Sequence, residues 1–120
     1  MKILITSQSK ELTGNVDPRF GRAKYFILYD TETGEWEALD NSQNLNAIQG
    51  AGIQAGENAA KTGAEYVLTG HCGPKAFSTL SANGIKIVVG VDGKVADAVE
   101  RFKKGEFKHT QHSDVPGHWA

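Results

Sequence analysis

Tyr66-Val67-Leu68-Thr69-Gly70-His71-Cys72-Gly73-Pro74-Lys75-Ala76-Phe77 decides the fold of this chain. Its first four residues have the composition of a short buried strand. Pro74 suits the first turn of a helix, where its missing N–H costs nothing, and Ala76, Phe77 and Leu80 give that helix an apolar stripe. A strand that runs straight into a helix is the unit of a parallel α/β sheet, and its turn points backbone N–H groups, an imidazole and a thiol at one small volume.

Working outward, Asn83-Gly84 closes the helix and Ile85-Lys86-Ile87-Val88-Val89 is the next strand. Val95, Val99 and Phe102 then mark a helix ending near Gly105. Towards the N-terminus, Gly50 to Thr62 carries Ala51, Ala55 and Ala59 four apart, with Ile53, Gly56 and Ala60 adjoining, on a face without bulk. This helix is expected to lie flat against the sheet, with Gly63 as its left-handed cap. Ile3-Leu4-Ile5 and Tyr25-Phe26-Ile27-Leu28-Tyr29 read as strands separated by a long loop, Ser7 to Arg22. Thr31-Glu32-Thr33-Gly34 supplies a turn, and the alternation through Trp36, Ala38 and Asp40 completes an antiparallel hairpin. Asn41-Ser42-Gln43-Asn44-Leu45-Asn46 lacks any period and reads as a loop. The order predicts an α/β fold: a mixed five-stranded sheet, order 3-2-1-4-5 with one antiparallel hairpin, flanked by about three helices. Ligands of open α/β sheets sit at the carboxyl ends of the strands, which places the loop after the first strand beside Gly70 to Pro74.

Bulk composition narrows the function. The 120 residues, 39% hydrophobic, suffice for one domain over residues 1–107, followed by a His-rich tail over 108–120. Lys+Arg 13 against Asp+Glu 14 leaves no global field to draw nucleic acid or an anionic membrane. Three apolar residues before Ser7-Gln8-Ser9-Lys10 are too few for a signal peptide, and no apolar run has the length of a membrane span, so a cytoplasmic protein is expected. A single cysteine excludes an intramolecular disulfide and a four-cysteine metal site built by one chain.

Two segments carry chemistry. In Asp17-Pro18-Arg19-Phe20-Gly21-Arg22-Ala23, Arg19 and Arg22 either cradle an anion under the shelter of Phe20, or are solvated and pair with Asp17 while Phe20 anchors the loop. Cys72 is a small core hydrophobe, a nucleophile activated by the helix start, Lys75 and His71, or a contact to a metal or cluster. Against the nucleophile, no acidic residue is placed to orient His71, and Ser78 stands where a phosphatase loop would carry arginine. The cluster contact is preferred, with Cys72 and His71 as candidate metal contacts. His109, His112 and His118 could bind copper or zinc, but a loosely ordered polar end is the expectation, with Trp119 docking somewhere.

Arg19-Phe20-Gly21-Arg22-Ala23 followed by Tyr25-Phe26, Gly50-Ala51-Gly52 opening a helix, and Gly73-Pro74-Lys75-Ala76-Phe77 through Leu80 to Gly84-Ile85-Lys86 keep one order across roughly residues 1–107. In this the chain resembles the dinitrogenase iron–molybdenum cofactor biosynthesis family, with its NifX-like and NifB C-terminal-like domains. The resemblance implies a ribonuclease H-like fold that carries or assembles a molybdenum-containing metal–sulfur cluster without catalytic turnover, a molybdenum–copper sulfide in one branch. It implies cluster contacts at Arg19, Phe20, Gly21, Arg22, Gly73, Pro74 and Lys75; His71 and Cys72 are positions where the family pattern varies. Gly70 completes the candidate site from the residues alone. Ribonuclease chemistry is not implied, because Lys2-Ile3-Leu4-Ile5-Thr6 supplies no metal-holding carboxylates. A thiomolybdate brings its own sulfides and negative charge, so N–H donors and cations matter more than thiolates. An ATPase or maturation factor would be the protein partner, and a monomer or weak dimer the assembly. Two alternatives remain at this point: a thiol enzyme using Cys72 for sulfur transfer or oxyanion reduction, and a protein-interaction module with no specific surface.

Overall fold

The computed structural model describes residues 1–41 and 50–114. The predicted loop over residues 42–46, and His118 and Trp119 of the tail, lie outside them. β1 (Lys2–Ser7) is the central strand. It pairs antiparallel with β2 (Tyr25–Asp30), which pairs antiparallel with β3 (Trp36–Asp40). On its other side β1 runs parallel to β4 (Tyr66–Leu68), which runs parallel to β5 (Lys86–Val88). The sheet order is therefore β3-β2-β1-β4-β5, as the strand and helix pattern predicts. The helices are α1 (Ala51–Ala60), α2 (Pro74–Ala82) and α3 (Val95–Lys103).

Side chains alternate across each strand, and both faces of the sheet are covered. Leu4, Phe26, Leu28, Val67 and Ile87 join Ala55, Ala59, Ala76 and Leu80 in a core beneath α1 and α2. Ile3, Ile5, Ile27, Leu68 and Val88 join Val95, Ala98 and Val99 beneath α3. The first core uses small residues to bring helices close. At Gly56 an added Cβ would lie 2.9 Å from Cβ and Cγ2 of Thr79, so the bare stripe of α1 faces α2 as well as the sheet. The sequence predicts only the sheet contact. Gly63 has φ 81°, the left-handed conformation expected after α1.

The long segment between β1 and β2 is not an open loop. Its first half caps α3: the N–H groups of Val95 and Ala96 donate to the carbonyls of Gly14 and Leu12, both at 2.9 Å, where Lys94 offers no side-chain cap. Its second half crosses to the β4–α2 turn. Among the described residues no helix is long and apolar enough to cross a membrane.

Candidate functional site

Thr6 and Thr69 end the neighbouring parallel strands β1 and β4, and both are buried. The Thr6 hydroxyl donates to the Asp17 carbonyl at 2.7 Å and lies 2.9 Å from the Thr69 hydroxyl, which can donate to it. The Asp17 N–H donates back to the Thr6 carbonyl at 2.9 Å. The Asp17 carboxylate accepts the Arg19 N–H at 3.0 Å, a side-chain turn around Pro18. That carboxylate thus shapes the loop backbone.

The loop is then zipped to the turn. Arg19 and His71 form a parallel bridge, and the Phe20 N–H donates to the His71 carbonyl at 3.2 Å. Gly70 makes this approach feasible: a Cβ there would sit 2.7 Å from Cα and O of Pro18. Phe20 is fully buried and stacks on Phe26 at 5.4 Å. Gly21 is buried beside it, and Asn41 ties down the loop exit by donating its side-chain N–H to Ala23 at 2.8 Å.

Above this packed layer Arg19, Arg22 and Lys24 stand exposed. With Gln8 and Asp17 they line a cleft of about 410 Å³. Among the described residues none of the three cations enters an ion pair. Arg19 and Arg22 line one cleft while Phe20 is packed into the core, and Lys24 lines that cleft too, a cation that the sequence reading did not select. Pro74 and Lys75 are exposed at the start of α2 and line a separate groove with Ile53, Ser78 and Thr79. The structure does not bring Lys75 into the arginine cleft.

Two features of the β4–α2 turn differ from what the sequence suggests. Cys72 is 0% exposed and belongs to the core under α1 and α2, its Sγ 3.7 Å from the Gly73 carbonyl. Burial first, and the nearby negative charge of Asp114 second, push its thiol up to about 12. Of the three sequence readings, this burial favours the small core hydrophobe, and it turns the thiol inward from the candidate cluster contact. The second feature concerns His71, for which the sequence offers no orienting acid. Asp114 fills that place: its Oδ2 lies 3.0 Å from His71 Nδ1, and its Oδ1 accepts the Cys72 N–H at 2.8 Å. A side chain 43 residues away could not be placed by spacing alone.

Asp114 also changes the view of the tail. Where the sequence predicts a loosely held end, residues 108–114 lie back over the domain, with the Thr110 N–H donating to the Ile87 carbonyl at 2.7 Å and the Asp114 N–H to the Cys72 carbonyl at 3.3 Å. His109 and His112 are exposed, and among the described residues no group of three His, Cys, Asp or Glu side chains is placed to hold a metal ion.

The fold and this edge of the sheet have relatives. The apo form of the orange protein from Desulfovibrio gigas is 41% identical, superposes with a TM-score of 0.91, and the match covers 95% of this chain and 96% of that one. A putative NifB protein from Thermotoga is 32% identical with a TM-score of 0.81, over 95% of this chain and 97% of that one. An uncharacterized protein of Methanocaldococcus jannaschii is 25% identical over 110 residues, 90% of either chain. The sequence profile described as dinitrogenase iron–molybdenum cofactor matches residues 1–105, from β1 through the end of α3 and including both the arginine loop and the β4–α2 turn. The chain belongs to the dinitrogenase iron–molybdenum cofactor family.

Proposed function

We propose that this protein binds and carries an anionic molybdenum-containing metal–sulfur cluster, a molybdenum–copper sulfide in its specific form, and has no catalytic step of its own. The observation that carries this reading is the cleft that the exposed Arg19, Arg22 and Lys24 line with Gln8 and Asp17. The donor set fits such cargo. Guanidinium groups are planar, permanently charged donors and hold oxo or sulfido edges by charge-assisted hydrogen bonds. With no three-residue metal-ligand group among the described residues, a bare ion would find few protein ligands, whereas a cluster arrives with its own sulfides. Membership of the dinitrogenase iron–molybdenum cofactor family supports a molybdenum-containing cargo.

In this reading Arg19 and Arg22 grip the anion and Lys24 widens the positive rim. Phe20, Gly21, Gly70 and Gly73 shape the loops, and the exposed edge of His71 borders the site through its bridge to Arg19. Pro74 and Lys75, on the neighbouring groove, would meet a partner that receives the cluster, such as an ATPase or maturation factor. The burial and raised pKa of Cys72 weigh against the thiol-enzyme alternative. Protein mixed anaerobically with tetrathiomolybdate and copper is expected to acquire charge-transfer colour and to hold both metals through gel filtration. Elution of metal-free protein would overturn the reading.

A further inference from the structure

Asp114 holds its carboxylate against the turn that borders the proposed cluster site. Its Oδ1 takes the Cys72 N–H at 2.8 Å, and its Oδ2 lies 3.0 Å from His71 Nδ1. The Cys72 N–H belongs to the residue just before the N-cap of α2, where an N–H and the helix field together favour negative charge. A carboxylate there makes the same two contacts that a sulfide or oxo edge would make.

The segment that delivers this carboxylate is anchored at one end and lightly held beyond it. Phe107 packs against the core under α3, with the Arg101 guanidinium 4.7 Å over its ring. From there to Asp114, the described contacts to the domain are the Thr110 N–H to the Ile87 carbonyl at 2.7 Å, the Asp114 N–H to the Cys72 carbonyl at 3.3 Å, and the carboxylate itself. The Thr110 hydroxyl bonds to the His112 carbonyl at 2.9 Å, within the segment. Residues 108–114 carry no apolar side chain, so displacement past Phe107 breaks a few hydrogen bonds without unseating an apolar anchor of the segment itself.

We propose that residues 108–114 form a strap whose Asp114 carboxylate occupies the anion seat of the β4–α2 turn, and that cargo reaches this seat by displacing the strap. The proposal rests on the cluster-carrying reading. The strap acts as an internal competitor: it satisfies the turn before loading, repels an incoming anion, and makes release possible by returning to its place. The backbone bridge between Arg19 and His71 sets this seat beside the arginine loop.

The test uses the full chain, isotopically labelled, with tetrathiomolybdate as the probe. Amide exchange at Thr110 and Asp114 is followed before and after loading, and affinity is measured for wild type, Asp114→Asn and Asp114→Ala. Loading is expected to remove protection from both amides, and both variants to bind roughly tenfold more tightly than wild type. Equal affinity in wild type and both variants, or a loaded protein whose two amides stay protected, overturns the strap and leaves the cluster reading standing. If tetrathiomolybdate binds neither wild type nor Asp114→Asn, the cluster reading falls and the strap's gating role with it.

Discussion

The β1–β2 loop and the β4–α2 turn meet at one edge of the sheet, yet they hold their polar groups in opposite states. The loop ties its backbone to its own Asp17 carboxylate and to the strand, turn and helix beside it, and presents Arg19, Arg22 and Lys24 to solvent. The turn has its thiol buried, and its Cys72 N–H and His71 imidazole engaged by Asp114. In the proposed function side-chain charge on the loop recognises the cargo, while the donors of the turn are already engaged by Asp114. Being the only cysteine does not make Cys72 the centre of the site.

The largest expected effect breaks the loop. Arg19→Ala combined with Arg22→Ala removes two charge-assisted contacts, each worth roughly 1.5–3 kcal/mol, so tetrathiomolybdate affinity should fall about a hundredfold or more. Titration of the folded double variant checks this, and a loss under threefold would deny the loop its role. Next comes the joint between the two regions. Gly70→Ala places a Cβ 2.7 Å from Pro18 backbone atoms, which cannot swing aside as a flexible side chain would. It should cost about 1–3 kcal/mol, read from the urea midpoint, and weaken loading by tilting the loop off the turn.

Smaller effects test the turn. The Cys72 thiol has its pKa raised from 9.0 to about 12 in the folded state. The folded protein therefore holds the thiol proton more tightly than the unfolded chain. Its contribution to stability is complete below about pH 9 and is lost as pH rises towards about 12. Urea unfolding across that window should show alkaline destabilisation that Cys72→Ala reduces; an identical pH slope in the variant would contradict it. Native protein at pH 8 should also resist alkylation that proceeds readily in urea. Smallest of all, Cys72→Ser should lower cluster retention by a few-fold at most, far less than loss of the two arginines. The reverse ranking would show that the thiol leaves the core and ligates metal when cargo binds.

Much of the architecture was legible because its signals are local. The bare alanine positions 51, 55 and 59, Pro74 opening a helix and the short apolar strands each report on neighbours within a few residues, and together they lead to the observed sheet order. The arginine cradle was legible for a similar reason, since Arg19 and Arg22 flank Phe20 in one short loop. What escaped were groups whose roles depend on distant chain. Thr6 and Thr69 look like strand ends until their hydroxyls meet at 2.9 Å. Asn41 reads as a loop residue, although its side chain fastens Ala23. Lys24 sits beside a strand, and nothing in its neighbours reveals that the loop folds it onto the arginine cleft.

Cys72 and Asp114 show where that boundary falls. By itself the sequence determined the strand–turn–helix around Cys72, because hydrophobic period, glycine placement and the proline at the helix start are short-range effects. It also determined that one cysteine cannot assemble a sulfur-rich site. Only the tertiary structure decided which way the thiol turns, since burial is settled by the packing of α1 and α2 on the sheet. Only it could bring a tail carboxylate to the His71 ring, because pairing of polar groups 43 residues apart leaves no period in the chain.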